Sequence, residues 1–417
     1  MTNTIIFILP NIYESINRVS TKYIKFINYL VNKQYNIILF TTFKNELIYN
    51  NLKKFDNLTI IKSNGLTIPF YKDIKIPILK YNDIKHKINS GNEIIIFNGE
   101  FIWLYNILKK LKKKYNSIKI YPNMHTDYIF YASNHLQSIP QFIRYDFSNL
   151  LKNLNLLLDK KVFKGIIVTG ESLKNKYLSY TDSVFNANEI NLDIFNNHKK
   201  DLYNNNFFNI IYCGRISKEK NLEELLECCK YIENYNYVLH IIGDGPYMVT
   251  IKDTILLEYK SISNKIIFYG SKTPEEINQL YMSLDNRIFL FLSISETFGK
   301  TPMEAGATGI PIFIKKCETS DILYINKKNA FVFEDKESFK TSFEYFIKMN
   351  SFDKDLFISN NINNIKKYDQ NIIFNDWINF LLNGNLNKNT LFMNIFEIFT
   401  FHSLSKMINC AGNIIAD

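Results

Sequence analysis

The chain predicts an α/β protein built of two Rossmann-like domains, each a doubly wound parallel sheet. Three observations carry that prediction. Short apolar runs of strand length recur along the chain, separated by stretches with the periodicity of amphipathic helices. The alternation runs through twice, with a polar break between the two passes. The length, 417 residues of which 46% are hydrophobic and 15% aromatic, is ample for two cores of ordinary size.

In the first pass the apolar runs are Ile5–Leu9, Ile37–Thr41, Leu58–Ile61, Glu93–Phe97, Ile118–Tyr121 and Gly165–Thr169. Strands covered by helices on both faces read as near-continuous apolar stretches, and these do. Ser20–Asn32 between the first two has helical spacing. The break is Asn191–Asn206 (NLDIFNNHKKDLYNNN), an Asn-rich segment that reads as a linker. The second pass brings Asn209–Cys213, Val238–Ile242, Lys265–Tyr269, Ile288–Leu292 and Pro311–Ile314, with a helix at Lys220–Tyr231. The expected domains are therefore 1–195 and 196–370. A helical segment at Asn371–Leu382, within 371–390, is expected to pack back on the first domain. An apolar tail follows at 391–417, which the pattern does not place. Ligands of such sheets bind beyond the carboxyl ends of the strands, and the cleft between two facing domains is the expected site.

Net charge is +10, from 50 basic and 40 acidic residues. That balance favours anionic partners, namely phosphorylated ligands or an anionic membrane surface. No basic run is interleaved with aromatics in a nucleic-acid motif, so nucleic acid is not an expected partner. The five cysteines are odd in number and show no C-x-x-C pair or Cys/His metal spacing. They read as reduced thiols of an intracellular protein. The start, MTNTIIFILPN, lacks a basic n-region and a long apolar h-region, so it reads as a buried strand rather than a signal peptide. No apolar run approaches the roughly 18–20 residues of a spanning helix.

Three motifs follow strands of the second domain. Gly214-Arg215-Ile216-Ser217-Lys218-Glu219-Lys220-Asn221 leaves the first strand and opens a helix. Arg215, Lys220 and free helix N–H groups offer a planar fork, a point charge and unpaired amides, which suit a diphosphate. The plain alternative is a solvated βα loop. Gly243-Asp244-Gly245-Pro246 follows the next strand, and its glycines permit unusual dihedrals and close backbone approach; it also reads as a simple turn. Ser293–Pro311 (SISETFGKTPMEAGATGIP) carries Glu296 and Glu304. Thr301-Pro302-Met303-Glu304 reads as a capping box, with Thr301 as N-cap. That accounts for Glu304 but not for Glu296, which sits in a loop aimed at a helix N-terminus.

Taken in order, G-R-x-x-x-E-K, G-D-G-P and S-x-S-E-T-F-G-x-x-x-x-E-A-x-A-x-G-x-P resemble the family-4 glycosyltransferases of the GT-B fold, whose Glu-x7-Glu element corresponds to Glu296 and Glu304. The resemblance is strong over Asn209–Ile314 and looser elsewhere. It implies that Glu296 contacts a donor sugar and Glu304 a ribose. It further implies that Arg215 and Lys220 hold the donor's diphosphate, and that Thr297, Phe298 and Gly299 offer backbone amides. Gly243 and Gly245 join the donor-binding set. It also implies a retaining reaction with a UDP-hexose-type nucleotide-sugar donor, no metal and no cofactor. In the first domain the loop after the first strand (Leu9–Val19) has no glycine, which argues against a dinucleotide-binding oxidoreductase. Its Asn17-Arg18 resembles the pair found in members acting on lipid acceptors, such as sulfoquinovosyl-diacylglycerol synthase. His125, in Tyr121–Tyr128, matches a His-containing segment of that subgroup and would contact donor sugar or acceptor; Asp127 stands where that subgroup often has His.

Two basic, apolar segments, Tyr105–Lys114 and Gln141–Lys161, suit either helices on an anionic bilayer or ordinary helices on their own sheet. Asp353-Lys354-Asp355 has D-x-D form but opens a helical pattern and reads as solvent-facing. The expected function is a hexosyltransferase acting on a lipid or glycan acceptor, cytoplasmic and peripheral to a membrane. The alternatives are an epimerase or hydrolase of the same fold, or a binding protein that has lost chemistry.

Overall fold

A computed structural model of the chain describes residues 4–10, 18–42, 54–68, 71–98, 104–125, 159–179, 181–196, 198, 201, 203, 207–294, 296 and 298–384. The chain order is β1 (Thr4–Ile8), α1 (Arg18–Asn32), β2 (Asn36–Thr41), β3 (Leu58–Lys62), β4 (Gly65–Ile68), β5 (Tyr71–Pro77), α2 (Tyr81–Lys85), β6 (Ile94–Asn98), α3 (Tyr105–Lys114), β7 (Lys119–Met124), β8 (Ile166–Val168), α4 (Glu171–Leu178) and β9 (Val184–Asn186). It continues with β10 (Phe207–Cys213), α5 (Leu222–Tyr231), β11 (Asn236–Ile242), α6 (Met248–Glu258), β12 (Ile266–Gly270), α7 (Pro274–Ser283), β13 (Arg287–Phe291), α8 (Lys300–Ala307) and β14 (Ile312–Lys315). It ends with α9 (Glu318–Leu323), β15 (Phe331–Phe333), α10 (Lys336–Lys348), α11 (Ser351–Lys366) and α12 (Gln370–Asn383).

The chain forms two compact units. Unit 1 comprises Met1–Val168, Tyr177–Phe185 and Phe374–Asp417; unit 2 comprises Thr169–Lys176 and Asn186–Ile373. Unit 1 carries a seven-stranded sheet in the order β3-β2-β1-β6-β7-β8-β9, and a separate hairpin, β4-β5. Unit 2 carries a six-stranded sheet, β12-β11-β10-β13-β14-β15. The paired registers within both large sheets are parallel. In each sheet the strand order reverses beside the first strand, between β1 and β6 and between β10 and β13. That is where loops leave the sheet in opposite directions and open a crevice.

In unit 1, α1 buries Tyr23, Phe26, Ile27, Leu30 and Val31, a stripe at the i, i+3, i+4, i+7 spacing. Trp377 of α12 stacks on Phe26 with ring centroids 3.9 Å apart and planes 1° from parallel, and Phe380 stacks on Phe185. Such aromatic pairs add about 0.5–1.5 kcal/mol each beyond the area they bury.

Unit 2 contains a charged element that the sequence reading took for a polar linker. Asp201 is buried, and its carboxylate accepts from Arg287 Nε at 2.8 Å at the start of β13; the two side chains are 1% and 0% exposed. Tyr203 donates to the carbonyl of Arg287 at 3.0 Å, and Arg287 donates to the carbonyl of Tyr281 at 3.1 Å. Asp201 and Tyr203 of this stretch therefore serve a buried arginine rather than solvent.

Among the described residues, no helix is long and apolar enough to cross a membrane. The tail at 391–417 and most of Gln141–Lys161 lie outside the described residues. Among the described residues, Cys213, Cys228, Cys229 and Cys317 are in no disulfide.

Candidate active site

The charged motif residues of unit 2 gather at its switch point. β10 and β13 are neighbours in register, Ile210 opposite Ile288 and Ile211 opposite Phe289. The loops after them are stitched together by backbone contacts. Ile294 N donates to the carbonyl of Glu219 at 3.0 Å, and Ser293 Oγ lies 3.4 Å from the same oxygen. Thr319 Oγ1 donates to the carbonyl of Glu296 and anchors that loop from α9.

Lys220 ends a single 3₁₀ turn, Lys218–Lys220, and Asn221 then takes the left-handed conformation (φ 55°) before α5 begins. The helix thus starts later than the motif suggested. Lys220 Nζ is ion-paired with Glu296, sits 3.4 Å from Ser293 Oγ and lies 5.8 Å from the centre of the Phe291 ring. Both partners are mostly buried, at 15% and 13% exposure. Arg215 is exposed, and its carbonyl is held by the Tyr212 hydroxyl at 2.9 Å.

Glu219 is a member that the sequence reading quoted but gave no role. Burial pushes its carboxyl up. The Ser217 hydroxyl at 2.5 Å, its own backbone N–H, Lys220 and Arg215 outweigh that and hold it below the usual range. The signal was its position between the two cations, where a carboxylate balances their charge.

Gly243 and Gly245 act on this site through the backbone. Gly243 has φ +136°, and a Cβ there would lie 1.9 Å from the carbonyl oxygen of Gly214. A Cβ on Gly245 would lie 2.2 Å from that of Ile216. Ile216 N donates to the Asp244 carbonyl at 3.0 Å, and Tyr247 N to the Ile216 carbonyl at 3.1 Å. The glycines are required because this loop packs main chain against main chain on the loop of Arg215.

The capping box expected at Thr301 does not form. α8 begins at Lys300, and its N-cap is Gly299 in the left-handed region (φ 69°, ψ 58°), with no side-chain cap. Thr301 and Glu304 are both buried inside the helix. A left-handed N-cap without a side chain leaves the first helical N–H groups to another acceptor, which suits an anion. Glu304 lies close enough to Tyr281 that, after burial, it and Cys213 raise that phenol's pKa. The Phe298 side chain is core, packed edge-on to Tyr368 at 5.1 Å.

Lys220 and Glu296 are thus brought together, and Arg215, on the loop packed against the glycine turn, lies close enough to Glu219 to help lower its pKa. His125 belongs to unit 1, at the carboxyl end of β7. It is 9% exposed, and its Nε2 lies 3.2 Å from the Tyr23 hydroxyl. Burial first and Lys22 second lower its pKa well below the usual value, so the ring is neutral. Asn17 and Thr297 lie outside the described residues. The D-x-D stretch opens α11, where the Asn350 side chain caps the Asp353 N–H at 2.9 Å. Its middle residue, Lys354, is buried over the Tyr203 and Phe346 rings rather than solvent-facing. Among the described residues no cluster of three or more metal-ligating side chains occurs.

Residues 193–364 match the family model described as glycosyl transferases group 1. The alpha-monoglucosyldiacylglycerol synthase of Acholeplasma laidlawii is 31% identical over 175 residues, 41% of either chain. The match therefore spans well under half of that relative. Two solved structures are similar over nearly the whole chain. A glycosyltransferase from Rickettsia africae superposes with a TM-score of 0.66 at 16% identity, covering 91% of this chain and 98% of that one. Anabaena HepE in complex with UDP and glucose gives 0.60 at 12% identity, covering 92% and 100%. The two parallel-sheet α/β domains are those of the GT-B fold.

Proposed function

We propose that this chain is a glycosyltransferase that moves a hexose from a nucleotide-sugar donor, a UDP-hexose by preference, to a lipid or glycan acceptor with retention of anomeric configuration. The observation that carries the reading is the pairing of Lys220 with Glu296 beyond β10 and β13, with Arg215 on the same loop as Lys220, inside the segment that matches glycosyl transferases group 1. The relative's name supports a diacylglycerol-type acceptor, and the neighbour bound to UDP and glucose supports the donor class.

The hard step in sugar transfer is expelling a nucleoside diphosphate. Arg215 and Lys220 would stabilise the charge that grows on it, aided by the N–H groups at the start of α8. Glu296 would take the sugar hydroxyls and Glu304 the ribose. The leaving phosphate would accept the proton of the acceptor hydroxyl, so no strong side-chain base is required. By the same resemblance the reaction needs no metal, and EDTA leaves the rate unchanged.

A charge-assisted hydrogen bond contributes about 1.5–3 kcal/mol. Arg215→Ala should therefore lower turnover at saturating UDP-hexose roughly ten- to a hundredfold. The fall should be in kcat, because the bond strengthens as charge develops. Unchanged turnover would remove the diphosphate clamp.

The membrane part of the proposal rests on unit 1. α3 buries Tyr105, Leu108 and Leu111 on its own unit and exposes Lys109, Lys110, Lys113 and Lys114. Lys160, Lys161 and Lys164 are exposed nearby, and Lys112 and Lys119 have pKa values lowered by burial and then by Lys164. So dense a set of like charges suits the anionic, cytoplasmic face of a bilayer. Co-sedimentation with anionic but not zwitterionic vesicles, abolished when the four exposed α3 lysines become Gln, is the expected result.

A further inference from the structure

The charges of this site nearly balance: Lys220 is paired with Glu296, and Lys220 and Arg215 both act on Glu219. Lys220, the cation placed best for a diphosphate, is already spent on Glu296. A phosphate that claims Lys220 must take it from that carboxylate. Glu296 cannot simply swing out to water. Its side chain is 13% exposed, and its backbone is pinned by Thr319.

We infer that the Lys220–Glu296 pair is a selectivity device that favours an intact nucleotide sugar over the bare nucleoside diphosphate; the inference rests on the donor class proposed above. When the whole donor binds, the diphosphate takes Lys220 and the sugar hydroxyls donate to the freed Glu296, so neither charge is stranded. When the nucleoside diphosphate binds alone, Lys220 is taken and Glu296 is left, mostly buried, beside an anion and near Glu219. A buried carboxylate that loses its partner carries the full cost of its desolvation, and a neighbouring negative charge adds to it. Substrate and product both take Lys220, but only the substrate brings hydroxyls to Glu296, so this penalty falls on the product. After transfer the returning Glu296–Lys220 contact helps to expel it.

Glu296 is thereby a specificity-determining residue through what it does without the sugar as well as with it. Glu296→Gln keeps the shape but removes the charge that is stranded. Titration calorimetry of the full chain with UDP and, separately, with UDP-glucose, UDP-galactose and UDP-N-acetylglucosamine reads the effect. The expected result is that Glu296→Gln tightens UDP tenfold or more and leaves the preferred UDP-sugar equal or weaker, so the sugar-to-UDP affinity ratio drops at least tenfold. Lys220→Met removes the competition from the other side, and on that background Glu296→Gln should no longer tighten UDP. A thermal melt of each variant confirms folding, and Glu296→Ala, predicted to behave like Gln toward UDP, stands in if the amide is not tolerated. A ratio unmoved in every folded Glu296 variant, with the wild type binding both ligands, overturns the inference and leaves the donor assignment intact. Wild-type protein that binds none of the four ligands overturns the donor assignment, and the inference falls with it.

Discussion

Both units turn their chains around at a switch point, between β1 and β6 in one and between β10 and β13 in the other, and the two ends are chemically unlike. In unit 2 the residues beyond the strands are charged: Arg215, Glu219, Lys220 and Glu296. In unit 1 the strand ends beside the switch point carry neutral, buried residues among those described: Thr41, Thr42, Asn98, Asn123 and His125; the charged Lys62 lies at the edge strand β3. Charges packed this closely need compensation and a rigid frame. Unit 2 supplies both, through the Lys220–Glu296 pair and through loops packed main chain on main chain. Neutral polar groups need neither, so nothing in unit 1 forces a fixed local spacing. Under the proposed function, the charged strand ends of unit 2 are thus expected to be rigid and motif-rich.

The contrast continues beneath the sheets, and the largest predicted effect lies there. Unit 1 is anchored by Trp377 stacked on Phe26, whereas unit 2 is anchored by Arg287 on Asp201 with essentially no exposure. Removing one member of a buried pair strands the other and costs about 3–5 kcal/mol. Arg287→Met should show that loss in urea unfolding, and adding Asp201→Asn should recover part of it. A loss below about 1 kcal/mol, the worth of an exposed pair, would mean unit 2 has no charged anchor to contrast with unit 1. Next in size is Gly243→Ala. Overpacking against the Gly214 carbonyl together with the positive φ should cost about 1–3 kcal/mol and weaken donor binding as the Arg215 loop shifts. Gly270→Ala is the control, since its φ of +69° is strained but nothing lies within 4 Å of the added Cβ. Equal losses for the two would show that loop packing adds nothing.

The same asymmetry explains what could be read in advance. Every strand at the centre of the two sheets was legible, because a strand buried on both faces must be a continuous apolar run. The edge strands β9 and β15 and the hairpin β4-β5 were not: β9 and β15 have three residues each and β4 four, while β5, with seven, mixes Lys and Asp into its sequence YKDIKIP and forms no continuous apolar run. The Lys220–Glu296 pairing was legible as a shared location because both residues follow apolar runs that form the neighbouring strands β10 and β13. The role of Gly243 was visible only as permissiveness, as the partner it packs against, Gly214, is far away in sequence. The start of α8 was misread. Thr301-Pro302-Met303-Glu304 has the composition of a capping box, but a left-handed Gly299 satisfies the chain reversal first and draws Thr301 inside the helix. Asp201 was taken for linker because nothing nearby in sequence announces its partner at Arg287.

Two histidines buried among the described residues, His240 and His125, give the smallest effect and the sharpest test of whether unit 1's polar ends are a site. His240 in unit 2 is held at both ring nitrogens, by Tyr269 and Asn209 at 2.8 Å each, and burial lowers its pKa to about 4. His125 in unit 1 is lowered well below its usual value by burial and then by Lys22. Both rings are neutral in the fold, while the unfolded chain protonates below about pH 6.5. The unfolded state therefore binds more protons as pH falls, and stability should drop from pH 6.5 toward 4 by up to about 1.4 kcal/mol per unit for each histidine. His240→Gln should remove one share of that slope without touching kinetics. His125→Gln should remove a second share and also weaken donor or acceptor kinetics at pH 7.5, where protonation is irrelevant. If it removes the slope and leaves the kinetics alone, His125 is a core residue of the same kind as His240, and the neutral strand ends of unit 1 are packing rather than recognition.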